Sequence, residues 1–167
     1  MGSKYAVMTN SGSSANLLAI SCLTNPLAKN TLTNGDEVII PAVCWSTSLW
    51  PLIQNNLKPV FADVELDTFN LDLDKIEEKI TKKTKAVMLV HVLGISTNMD
   101  RLKKIIKKHN LILIEDACES LGASYNRKKL GTIGKFGTYS FYYSHQITSG
   151  EGGMVVTRHS DLAKRMK

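Results

Sequence analysis

At 167 residues, 43% hydrophobic and 22% charged, the chain has the length and make-up of one globular domain with its own core. Its clearest apolar runs are short, as at 86–90, far from the roughly 20 residues of a membrane span, and with no signal-like N-terminus a cytoplasmic location is expected. The net charge of +6 sits largely at 79–85 and 101–110, spaced as a solvated helix face without interleaved aromatics, which argues against nucleic acid and suits a phosphate-bearing small substrate.

In chain order, a Ser-Gly turn leads into a helix over about 13–24 (SSANLLAISCLT). A short strand follows at about 37–40 in DEVIIP, then a helix through about 46–55. KPVFADV reads as the next strand, LDLDKIEEKI as a helix opened by Asp72, and KAVMLV as another strand. Residues 99–108 form an amphipathic helix, LILIED a strand, and GTYSFYY and GGMVVT two closely spaced strands, with a helix starting near Ser160. Strands alternating with helices predict an α/β fold of three layers, α/β/α, around a mostly parallel sheet covered on both faces. No linker, repeat or low-complexity tract divides it. The sequence ends as a helix begins, so part of a larger domain is expected.

In such sheets ligands bind at the carboxyl ends of the strands. That rule points to Pro41 through Trp45, Asp63, His91 through Gly94, and Glu115 through Glu119. The stretch TNSGSSANLL puts Ser11, Gly12, Ser13 and Ser14 just before a helix, where free N–H groups and hydroxyls can hold an anion; ordinary helix capping uses the same residues. Glu115 and Asp116 end an apolar strand, where acids are costly unless paired or functional. Asp116 suits a partner for a pyridine nitrogen, or a helix cap. Trp45, just past a strand, suits stacking on an aromatic ring, or plain packing. The three cysteines, Cys22, Cys44 and Cys118, are odd in number and far apart, which fits reduced thiols better than a disulfide framework or a zinc site. His145 stands in SFYYSHQITSGEGGMVVT. An imidazole cannot durably hold an aldehyde cofactor as a lysine amine does, but it moves protons near neutral pH.

Together these segments resemble the DegT/DnrJ/EryC1/StrS sugar aminotransferase family of fold type I pyridoxal-phosphate enzymes. The resemblance runs from KYAVMTNSGSSANLL through NGDEVIIPAVCW, KPVFADVELDTFNLD, TKAVMLVHVLG and LILIEDACESLGASY to SFYYSHQITSGEGGMVVT. It implies a sheet like the large domain of the aspartate aminotransferase-like transferases, with 1–167 as part of that cofactor-binding domain and the small C-terminal domain absent. Residue by residue, it implies that Ser13 and Ser14 hold the cofactor phosphate, that Trp45 stacks on its ring, and that Asp116 pairs with its pyridine nitrogen. Glu119 falls where aminotransferases commonly have glutamine near the ring hydroxyl, and Ser140 matches a serine on the phosphate. His145 stands five residues further on, where the aminotransferases carry the Schiff-base lysine. Lys135, the nearby lysine, reads as a surface residue.

A histidine there resembles the sub-group of nucleotide-sugar 3-dehydratases. The implied cofactor is free pyridoxamine 5'-phosphate or pyridoxal 5'-phosphate. The implied substrate is a CDP- or GDP-linked 4-keto-6-deoxyhexose, used in deoxysugar and lipopolysaccharide O-antigen biosynthesis. His145 then acts as base and afterwards as acid, matching a side chain that ordinarily titrates at about 6.5. Some members restore the cofactor amine from glutamate; others carry an iron–sulfur cluster and take electrons from a reductase, and Cys118 matches one cysteine of that type. A homodimer is implied as well. Two other readings stay open: a pyridoxal-phosphate-dependent sugar aminotransferase, and a truncated, non-catalytic cofactor-binding fragment.

Overall fold

The structure, a computed structural model, describes residues 1–28 and 31–167. Short apolar runs bounded by polar turns become strands, and the longer stretches with helical periodicity become helices. The order is β1 (Tyr5–Thr9), α1 (Gly12–Thr24), β2 (Glu37–Pro41), α2 (Ser46–Gln54), β3 (Lys58–Ala62), α3 (Leu73–Lys79) and β4 (Thr84–Val90). A 3-10 turn at Val92–Gly94 follows, then α4 (Met99–Lys108), β5 (Ile112–Asp116), the two-residue strands β6 (Ser124–Tyr125) and β7 (Lys128–Lys129), β8 (Phe136–Ser140), β9 (Gly153–Thr157) and α5 (Ser160–Arg165).

Seven strands make one sheet in the order β1-β9-β8-β5-β4-β2-β3. β3, β2, β4, β5 and β8 run parallel. β9 is antiparallel to both β8 and β1. The sheet is therefore mostly parallel, as expected, with one reversed strand near its edge. β6 and β7 form a separate hairpin, turned by Asn126 and Arg127 with φ of 46° and 64°, the left-handed pair that a tight hairpin requires.

Because side chains alternate along a strand, each central strand feeds two cores. Val38, Ile40, Ala86, Met88 and Ile114 pack with Ala15, Ala19, Ile20 and Leu23 of α1, Leu52 of α2 and Leu162 of α5. Ile39, Val87, Leu89 and Leu113 face the other way, against Leu73 and Ile76 of α3 and Met99, Leu102 and Ile105 of α4. Helices thus cover both faces, giving three layers. Local signals set the ends: Asp72 caps α3 by accepting the Asp74 N–H at 2.8 Å, and Asn98 caps α4 by accepting that of Arg101 at 3.0 Å.

One expectation is corrected. The predicted strand GTYSFYY stops at Ser140, and Phe141–Tyr143 leave the sheet. Their aromatic character suits a strand, but Tyr142 and Tyr143 are exposed, their rings tilted against each other with centroids 4.4 Å apart. No helix among the described residues is long and apolar enough to cross a membrane.

Candidate functional site

The carboxyl ends of β1, β2, β4, β5 and β8 lie along one edge of the sheet, as parallel strands require. Helix α1 begins there. Ser11 is its N-cap, accepting the Ser14 N–H at 3.1 Å and donating its hydroxyl to that of Ser14 at 3.1 Å. First-turn amides have no partner inside a helix, and here Ser13 is exposed beside them while Ser14 is half-buried. Capping thus uses Ser11 and leaves Ser13 outward.

Gly12 brings this turn against two other elements. A Cβ at Gly12 would lie 2.6 Å from the Ser140 Cβ and 2.9 Å from the Cys118 Sγ, closer than atoms can pack. Only glycine lets the start of α1, the end of β8 and the segment after β5 meet here. Ser140 is buried, and its hydroxyl accepts the Tyr142 N–H at 3.3 Å. The Cys118 thiol is held well above its ordinary range, first by burial and then by the negative charge of Asp116.

Asp116 ends β5 with 5% of its surface exposed. Its Oδ2 accepts the Asn16 side-chain N–H at 2.8 Å and the Ser48 hydroxyl at 2.7 Å, and its Oδ1 accepts the Cys118 N–H at 3.1 Å. The neighbouring acid behaves differently. Glu115 points to the opposite side and is fully buried; its carboxylate accepts the N–H groups of Gly131, Ile133 and Gly134 and meets His91 Nε2 at 2.9 Å. Glu115 is the paired acid, and Asp116 the one facing the edge with an acceptor position to spare.

Trp45 is the N-cap residue of α2 and 73% exposed. One turn further along, Ser48 reaches Asp116, so the indole rises from the helix that touches the carboxylate. Glu119 ties two loops together. Its Oε2 accepts the Leu93 N–H at 3.4 Å, and its carbonyl accepts the Gln146 amide at 2.6 Å. Leu93 adopts a left-handed φ of 51°, at a cost of about 1–2 kcal/mol, which turns that N–H towards Glu119. His145 is half-buried in the loop between β8 and β9, next to Gln146, with its ring edge-on to Tyr142 at 6.1 Å. Its side chain makes no hydrogen bond among the described residues, which leaves both ring nitrogens available for proton transfer.

The structure thus brings Ser13, Ser14, Ser140 and Cys118 together around Gly12, sets Asp116 beside Cys118 and below α2, which carries Trp45, and joins Glu119 to the His145 loop. Lys135 lies just before β8, at the opposite end of that strand from Ser140. It is half-buried rather than a plain surface residue, and helps to line a cavity of about 840 Å3 with Lys85, Lys103 and His159 at the far edge of the sheet. Sequence reasoning missed Asn16, Ser48 and Thr138. Asn16 carried one signal, being polar at a spacing that puts it beside Ala15, Ala19 and Ile20 on the buried side of α1.

The chain matches one family and is similar to two relatives along nearly its whole length. Residues 1–167 match the DegT/DnrJ/EryC1/StrS aminotransferase family. The chain is 47% identical over 161 residues to GDP-4-keto-6-deoxy-D-mannose 3-dehydratase of Escherichia coli O55:H7, covering 96% of this chain and 41% of that protein. It is 47% identical over 165 residues to lipopolysaccharide biosynthesis protein RfbH of Salmonella typhimurium, covering 98% of this chain and 38% of that one. Among solved structures, a GDP-4-keto-6-deoxymannose-3-dehydratase with a trapped PLP-glutamate geminal diamine superposes with a TM-score of 0.94 at 45% identity, over 99% of this chain and 42% of that one. The chain spans about two fifths of the length of the curated relatives it matches. Its sheet is that of the fold type I pyridoxal-phosphate enzymes, and the chain belongs to the DegT/DnrJ/EryC1/StrS aminotransferase family.

Proposed function

We propose that the chain is part of the cofactor-binding large domain of a pyridoxamine-phosphate-dependent nucleotide-sugar 3-dehydratase. Its substrate would be a GDP-linked 4-keto-6-deoxyhexose, and its setting O-antigen biosynthesis in the cytoplasm. The observation that carries the reading is His145, whose ring makes no hydrogen bond among the described residues and lies edge-on to Tyr142, at the place where the family's aminotransferases hold a lysine. The 47% identity to a dehydratase of that substrate class supports it.

The residues present fit the cofactor. The first-turn amides of α1, with Ser13, Ser14 and Ser140, form a neutral donor set suited to a phosphate. Gly12 keeps that cradle clear, since any side chain there would strike Ser140 and Cys118. Asp116 offers an open acceptor to a pyridine N–H, the exposed Trp45 indole offers a flat face to the ring, and Glu119 lies within the same loop system.

When bound, pyridoxamine phosphate supplies an amine for the sugar keto group and a ring that accepts the electron pair released at its methylene carbon. His145 would accept a proton on a ring nitrogen and return it to the hydroxyl leaving sugar carbon 3, which departs as water. Asp116 would hold the pyridine N–H, and the Trp45 indole would lie against the ring face.

For completing the cycle, amine supply from glutamate has more support than an iron–sulfur cluster with a reductase, given the trapped glutamate adduct in the relative. Cluster ligands are thiolates, whereas the Cys118 thiol is pushed the other way and packs against Gly12. The exposed Trp45, Leu93, Tyr143 and Ile147 along this edge support a homodimer.

The test is direct. Incubation with pyridoxal phosphate followed by borohydride should attach nothing to a lysine, and His145→Asn should abolish loss of the C-3 hydroxyl while retaining cofactor binding. Stable incorporation at a lysine would favour an aminotransferase, and absence of binding would favour a non-catalytic fragment.

A further inference from the structure

A carboxylate offers about four lone-pair positions. At Asp116 two of them, both on Oδ2, are taken by the Asn16 amide at 2.8 Å and the Ser48 hydroxyl at 2.7 Å. A third, on Oδ1, is taken by the Cys118 N–H at 3.1 Å. Among the described residues these bonds leave one acceptor position, on Oδ1, with the Cys118 thiol beside the carboxylate.

The donors are themselves fixed. Thr138 of β8 donates its hydroxyl to the Asn16 Oδ1 at 2.6 Å, which forces the Asn16 N–H groups round towards Asp116. The second N–H of Asn16 goes to the Thr47 carbonyl at 3.3 Å. Asn16 is 1% exposed, and Ser48 and Thr138 are fully buried. The network therefore joins α1, α2, β5 and β8 through hydrogen bonds that solvent does not reach, where each carries more weight than at a surface. Replacing the whole buried polar set, Asp116 included, by apolar side chains of similar size is often neutral for stability, so stability alone does not account for an asparagine and a serine converging on one carboxylate oxygen with a threonine fixing the asparagine.

We infer that Asn16 and Ser48 are positioning residues for Asp116. By occupying Oδ2 they leave Oδ1 as the single acceptor for the ring nitrogen of the cofactor, and Thr138 sets the orientation of the Asn16 amide. Two donors on Oδ2 also leave no room for a proton there. Asp116 can then meet a ring N–H only as an acceptor, in one orientation. The inference rests on the proposed cofactor and adds the residues that aim its aspartate.

The experiment uses pyridoxal phosphate labelled with 15N in the ring, bound to the full chain. The ring-nitrogen chemical shift reports whether that nitrogen carries a proton. It should be that of the protonated ring in the unaltered chain and in Ser48→Thr, which keeps the hydroxyl. It should move towards the neutral pyridine value in Ser48→Ala and Asn16→Ala, with roughly tenfold weaker cofactor binding in each. A merely structural role would lower the melting temperature of these variants and leave the shift of the bound cofactor unchanged, and that result would overturn the inference. Should Asn16→Ala not fold, Ser48→Ala with its threonine rescue decides alone. If the unaltered chain binds no cofactor, the proposed function fails and the inference with it; if it binds and the shift is indifferent to both substitutions, the inference alone fails.

Discussion

Gly12 shows how little space one residue has at the meeting of α1, β8 and the segment after β5. Replacing it with alanine forces the Ser140 and Cys118 side chains apart, because neither 2.6 Å nor 2.9 Å is a permissible contact. Overpacking of this kind costs about 1–3 kcal/mol. Gly12→Ala should therefore lower the thermal midpoint and, by moving Ser140 off the first turn of α1, weaken pyridoxal phosphate binding in a fluorescence titration. Ser140→Ala should weaken binding without the loss of stability. At this scale the sequence marked candidates where chemistry is unusual for its place: an acid at a strand end, a tryptophan after a strand, a histidine where the family resemblance leads one to expect a lysine. Ser48 and Thr138 were not readable, because a buried hydroxyl looks like any serine or threonine until its partner, 68 residues away for Ser48, is known.

Elements with strong periodicity were legible almost to their ends. α4 runs over Met99–Lys108 as its spacing of apolar and basic residues predicts, and α3 begins after Asp72. β1, which is not predicted, has alternating half-buried and exposed residues and gains its place only by pairing with β9, far along the chain. Two-residue strands such as β6 and β7 have no period to read. Glu115 explains a feature that lies between elements. Its carboxylate gathers the backbone donors of Gly131, Ile133 and Gly134 in the turn entering β8, so β5 fixes where β8 starts. Glu115→Gln would turn an amide N–H2 towards at least one buried N–H and should destabilise by about 2–5 kcal/mol. The denaturant midpoint should fall with no change in its slope.

For the whole molecule, stability should depend on acid through Glu37 at the amino end of β2. Hydrogen bonds from Thr81 at 2.6 Å and Lys58 at 3.1 Å hold its carboxyl below the ordinary value of 4.5. The folded state thus favours the charged form, so this contribution is complete above pH 4.5 and is lost as pH falls through the lower folded value. Glu37→Gln should be less stable than the unaltered chain at neutral pH by about 1 kcal/mol, with the two melting temperatures converging in acid. The mostly parallel sheet was legible from alternation of strands and helices, whereas the reversal of β9 was not, since direction leaves no mark on composition. That reversal has a consequence for the loop it closes. Residues 141–152 leave and re-enter the sheet through neighbouring antiparallel strands, so the stretch holding His145 is a hairpin whose two ends are anchored side by side. Under the proposed function, a change from lyase to transferase would need substitutions in this one hairpin, with the strands that carry Asp116 and Ser140 left in place.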